Sequence, residues 1–133
     1  MRKSINVFIL SSLISWAVSA QDIITPNIEE IPEEFENIYK KEFYSDSLSS
    51  SFLIAIRKSV AAHKHKYHTE HIYVLEGSGD MTLGDVHISI TKGDLLVIPK
   101  NTLHSVDVTS RDPLKIISIQ SPKYTGEDQI YLE

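Results

Sequence analysis

From Phe52 to Gln120 the chain is a series of short apolar runs, each cut off by turn-forming residues, and this punctuation leaves few ways to fold. The runs "FLIAIRKSV", "HIYVLEG", "DMTL", "VHISI", "DLLVIP", "HSVDV" and "LKIISIQ" are strand-length and rich in Ile, Val and Leu. Between them fall Gly77-Ser78-Gly79-Asp80, Gly84-Asp85, Lys92-Gly93-Asp94, Pro99-Lys100-Asn101 and Arg111-Asp112-Pro113. Gly84-Asp85 has the length and composition of a tight two-residue hairpin. Seven short strands at near-regular spacing, with no convincing helix among them, predict an all-β antiparallel sandwich or barrel.

The ends of the chain read differently. It opens "MRKSINVFILSSLISWAVSA", where Arg2 and Lys3 precede an apolar run from Ile5 to Val18 that closes on Ser19 and Ala20. That layout predicts a secretory signal peptide cleaved between Ala20 and Gln21, and hence an exported protein, periplasmic or secreted. The run is broken by Ser11, Ser12 and Ser15 and is short of the ~20 apolar residues of a membrane span, so no membrane partner is expected after cleavage. Residues 21–49 form a polar, acidic N-terminal extension, and residues 50–133 the β-domain. Within the extension, Ile31, Phe35, Ile38, Tyr39 and Phe43 fit one face of a short helix beginning near Pro32. The segment "ENIYKKEFY" fits a strand equally well.

Composition removes several classes of function. There are no cysteines, which excludes zinc fingers, thiol redox chemistry and cysteine nucleophiles, and leaves stability to a packed core, a metal or oligomerisation. Thirteen basic side chains stand against eighteen acidic ones, a formal charge of −5, and the leader holds two of the basic residues. Such a chain carries no electrostatic footprint for nucleic acid.

Chemistry concentrates in "HKHKYHTEH", residues 63 to 71, where four histidines and a glutamate fall within nine positions. His63 and His65 are two apart, so on an extended segment both rings leave one face and can lean onto one ion at ~2.1 Å from each nitrogen. Glu70 is five residues past His65, an odd spacing that places it on the opposite face of an unbroken strand. A turn or bulge between Lys66 and Thr69 must reset the direction if Glu70 is to join them. A second cluster lies in "GDLLVIPKNTLH", where Pro99 ends a buried strand, Asn101 tolerates positive φ and His104 opens the next strand. In a barrel, a histidine just past such a corner reaches the interior point that the first cluster faces.

These two stretches resemble the paired motifs of the cupin superfamily. The first motif, G, five residues, HxH, four residues, E, six residues, G, is met by His63, His65, Glu70 and Gly77. The second, G, five residues, P, x, G, two residues, H, three residues, N, is met by Gly93, Pro99 and His104. Arg57, Asn101 and Val108 stand where the motifs have glycine, glycine and asparagine. The resemblance, to small single-domain bacterial cupins, covers roughly residues 50 to 122 and extends to the tail "SPKYTGEDQIYLE". It implies a double-stranded β-helix, the jelly-roll barrel, holding one divalent ion (Fe, Mn, Zn, Ni or Cu) on His63, His65, Glu70 and His104. It also implies a small-molecule substrate or ligand and allows a homodimer.

Lyase, isomerase and oxygenase activities all occur in that family, so the resemblance points to a metal-dependent enzyme without selecting a reaction. A non-catalytic protein that captures a small ligand on the same metal is the alternative. Other residues are secondary. His68 and His71 are expected to face solvent or support the ligands, and His87 to point away from the core. Tyr67, Tyr73 and Gln120 could line a pocket and Arg57 could anchor an anion. Packing for the tyrosines, and the surface for Arg57 and Gln120, are the expected roles.

Overall fold

The computed structural model describes residues 23–26 and 29–132, so the expected signal peptide and its cleavage junction lie outside the described residues. Ten strands form: β1 Ile38–Ser45, β2 Ser50–Ile56, β3 Ser59–His65, β4 Thr69–Glu76, β5 Ser78–Leu83, β6 Val86–Thr91, β7 Leu95–Ile98, β8 His104–Val108, β9 Leu114–Ser121 and β10 Gln129–Tyr131. They make two five-stranded sheets, ordered β1-β2-β9-β4-β7 and β10-β3-β8-β5-β6, with antiparallel pairing throughout. No α-helix occurs among the described residues. The all-β, jelly-roll expectation therefore holds.

Alternation along each strand sets the inner faces. Ile56 from β2, Ile72 and Val74 from β4, Met81 from β5, Ile90 from β6, Leu96 and Ile98 from β7, Val106 from β8, and Leu114 and Ile116 from β9 pack into one core. Gly84-Asp85 turns β5 into β6 with Leu83 opposite Val86, the two-residue hairpin expected. The glycine that closes the first motif has a steric reason: Gly77 has φ +81°, and a Cβ there would stand 3.0 Å from both Leu114 Cα and the Pro113 carbonyl oxygen.

Three features depart from the sequence reading. The run "FLIAIRKSV" is two strands, because the chain reverses at Arg57-Lys58; Asn37 Oδ1 accepts the backbone N–H groups of Lys58 and Ser59 at 2.9 and 3.3 Å and stabilises that bend. The choice left open in the extension resolves as strand, β1, since pairing with β2 satisfies a backbone that a lone short helix would leave exposed. The tail adds β10, which pairs with β3 so that Gln129 opposes His65 and Tyr131 opposes His63.

Candidate metal centre

The direction change demanded by the odd spacing of His65 and Glu70 is made by a bend at Lys66-Tyr67, and it does more than a bulge would. It carries the chain from one sheet to the other, so β3 and β4 face each other across the barrel. His63 and His65 enter from β3, His104 from the neighbouring β8 and Glu70 from β4 opposite. His63 and His104 are direct register partners with ring centroids 4.2 Å apart. The corner before His104 is held to the first motif: Asn101, at φ 64°, donates its backbone N–H to the His65 carbonyl at 2.6 Å.

All four side chains are buried. The three imidazoles each offer a nitrogen within 4.8 Å of the others. Glu70 joins through two of them: its Oε2 lies 3.6 Å from His65 Nε2 and 3.4 Å from His104 Nε2. Donors sharing one ion at ~2.1 Å stand ~3.0–3.4 Å apart in octahedral or tetrahedral arrangements, so these spacings are near those of ligands around a common centre.

The surrounding hydrogen bonds set which atoms face inward. His63 Nδ1 lies 2.8 Å from the Ala61 carbonyl and His104 Nδ1 lies 3.0 Å from the Thr102 carbonyl. A carbonyl only accepts, so each Nδ1 carries the proton and each Nε2 keeps its lone pair for the centre. Among the described residues His104 Nε2 is buried with no hydrogen-bond partner, as suits a nitrogen that would ligate a cation. On the opposite sheet Glu70 Oε1 accepts from Ser118 Oγ and, at 3.1 Å, from Gln120 Nε2, which leaves Oε2 to the imidazoles.

Burial pushes the His63 imidazole down to about 4, and the neighbouring His104 and His65 rings add to the fall, so His63 is neutral near pH 7. Burial alone would raise the Glu70 carboxyl. The neighbouring His104 and His65 rings and the hydrogen bond from Ser118 outweigh it and hold the group well below the usual carboxylate range. Imidazole nitrogens and a carboxylate form a donor set suited to Zn, Cu, Fe or Ni, so the residues present fit a divalent ion.

A cavity of about 240 Å³ opens on this cluster, walled by Ile54, Ile72, Met81, Val106 and Ile116, with Lys40, Tyr124, Gln129 and Tyr131 also lining it. Gln120 lines it too and is buried, which corrects the surface expectation: Glu70 opposes Gln120 on β9, and the pairing draws the amide inward. His68 is likewise not solvent-facing. It is 2% exposed, its ring lies 4.1 Å from that of His65, and its Nδ1 is 2.7 Å from Asp128 Oδ2. Tyr67 and Tyr73 are largely exposed and line no part of the cavity. Arg57 is on the surface as expected, with its guanidinium over Phe35 and Nη2 donating to the Glu33 carbonyl at 2.6 Å. His87 is exposed, and His71 lies beyond the cluster.

Sequence reasoning missed Ser118, Asp128 and Lys40. In "IISIQ" the alternation places Ser118 and Gln120 on the same side as buried Ile116, and two polar residues on an inward face were a readable signal. Asp128 gave none. It is a lone acid in a polar tail, yet it is 3% exposed and accepts the Tyr67 N–H at 3.2 Å, while its carbonyl accepts the Lys66 N–H at 3.0 Å.

Comparison with known proteins gives the same fold. A family model described as "Cupin domain" matches residues 52–120. An uncharacterized protein of Methanocaldococcus jannaschii is 36% identical over 97 residues, 73% of this chain and 75% of that one. The mannose-1-phosphate guanylyltransferase RfbM of Salmonella typhimurium is 38% identical over 69 residues, 52% of this chain, but the match spans only 14% of that enzyme. Among solved structures, a conserved protein with a double-stranded β-helix domain from Klebsiella pneumoniae superposes with a TM-score of 0.71 at 14% identity, covering 86% of this chain and 99% of that one. The paired motifs, the two facing sheets and the matched family model agree: the chain belongs to the cupin superfamily.

Proposed function

We propose that His63, His65, Glu70 and His104 hold one divalent metal ion and that the protein is a metal-dependent enzyme acting on a small molecule. The observation that carries this reading is the convergence of three imidazoles and one carboxylate, from facing sheets, at the wall of an apolar cavity. A bound divalent ion supplies Lewis-acid polarisation of a substrate oxygen. The chain's own part is orientation and exclusion of water. The Ala61 and Thr102 carbonyls fix two rings, Ser118 and Gln120 fix the carboxylate, and the aliphatic walls lower the dielectric around whatever binds.

One observation favours a second reading, a non-catalytic small-ligand-binding protein. Apart from the four proposed ligands, the titratable side chains lining the cavity among the described residues are Lys40, Tyr124 and Tyr131, and neither a carboxylate nor an imidazole is among them. Protein loaded in turn with Fe, Mn, Zn and Ni, assayed for product from sugar acids and small organic acids and titrated calorimetrically with the same compounds, separates the two. Turnover supports the enzyme. Saturable binding without product supports the binder, and neither outcome with any metal contradicts both.

Export to the periplasm or medium belongs to the same proposal and rests on the leader-like residues 1–20. So does a homodimer. Tyr73, Leu95, Val97 and Ile119 lie exposed on adjoining strands β4, β7 and β9, an apolar row that a second copy would cover.

A further inference from the structure

We infer that Lys40 is the specificity-determining residue of this cavity and that the ligand is a small organic acid bearing a carboxylate remote from its metal-binding end. The inference rests on the metal reading above and adds the class of ligand.

Register places Lys40 at the mouth of the cavity. On β1 it opposes Ile54 and its neighbour on the same face, Ile38, opposes Ile56; all four line the cavity. Lys41 points the other way and pairs with Glu29. Lys40 is therefore an exposed cation at the rim of the cavity, beside its aliphatic lining, and among the described residues no carboxylate comes within 4.0 Å of its ammonium group. Glu42, next on the same face, does not reach it. What holds the ammonium is aromatic: Nζ lies 4.4 Å from the Tyr124 ring centre and 4.8 Å from that of Phe52, and those rings meet edge to face at 5.6 Å. That contact fixes the position of the charge without neutralising it.

Charge balance gives the sign of the ligand. A divalent ion on three neutral imidazoles and one carboxylate keeps a net positive charge, and Lys40 adds another on the same cavity. An anion compensates both. Size gives the scale. A cavity of ~150 Å³ admits benzene, so one of about 240 Å³ takes roughly ten non-hydrogen atoms. A carboxylate at Lys40, an aliphatic body along Ile54 and Ile116 and an oxygen at the cluster fill that space.

The test titrates the nickel-loaded full chain with succinate, glutarate and adipate, and with butyrate, valerate and hexanoate of matching length. At least one dicarboxylate is expected to bind roughly tenfold or more tighter than its matched monocarboxylate. Lys40→Met should erase that preference with nickel content unchanged, while Lys41→Met, on the opposite face, should keep it. Nickel-loaded wild type without the preference, or Lys40→Met that retains it, overturns the inference and leaves the metal reading intact. Wild type that retains no nickel overturns the metal reading, and this inference with it.

Discussion

Glu70 Oε2 and His104 Nε2 lie 3.4 Å apart although they project from different sheets, β4 and β8. This contact ties the two halves of the barrel together at the proposed ligand set, and it brings an anionic oxygen beside a buried, otherwise unpartnered nitrogen. Glu70→Gln removes the negative charge and keeps the shape. Divalent affinity, measured by competition with a chelating dye, should fall by roughly tenfold or more. Unchanged affinity would mean that Glu70 supports the fold only.

Asp128 pins the bend that carries the chain from His65 to Glu70, and it accepts from both His68 and the Tyr67 backbone. Asp128→Ala leaves the buried His68 donor and the part-buried Tyr67 N–H without a partner, which costs about 1–3 kcal/mol in denaturant unfolding of the metal-free protein. Because His65 stacks on His68, metal affinity should weaken by about 10- to 100-fold as well. Loss of stability with full affinity would limit Asp128 to a structural role.

Acid should destabilise the metal-free protein earlier than its carboxylates alone would. The folded-state value of His63 is depressed to about 4 from an ordinary 6.5, so the unfolded chain binds more protons between those limits. The contribution is fully present above pH 6.5 and is lost as pH falls towards 4. Glu70, held low in the fold, adds a loss below its ordinary value near 4.5. Melting temperature in the presence of chelator should decline from about pH 6.5 downward, and His63→Gln should flatten the upper part of that decline. A flat profile between pH 6.5 and 5 would contradict the burial argument.

The parts legible in the sequence were those written in local spacing. Strand runs and the Gly84-Asp85 hairpin follow from alternation and turn chemistry, and His63, His65 and His104 from a two-residue period and a corner residue, Asn101. The need for a turn before Glu70 was readable; that the turn would switch sheets was not, because sheet membership depends on non-local pairing with β9 and β7. Arg57 shows the other limit. Its run reads as one apolar strand, and only the distant Asn37 side chain reveals the bend. His68 and Asp128 meet from positions 60 apart in sequence, a contact that no period or local motif encodes.

The exposed row of Tyr73, Leu95, Val97 and Ile119 predicts self-association. Sedimentation should give a dimer, and Leu95→Lys should shift it to monomer by placing a charge on the covered face. A wild-type monomer at tens of micromolar would remove the homodimer from the proposal.

Metal content of the purified protein tests the central claim most directly. Elemental analysis should find close to one divalent ion per chain in the wild type, little in His65→Ala and His104→Ala, and a lower melting temperature after chelation. Full metal content in both variants, or none in wild type refolded with Fe, Mn, Zn, Ni or Cu, would contradict a metal centre at this cluster.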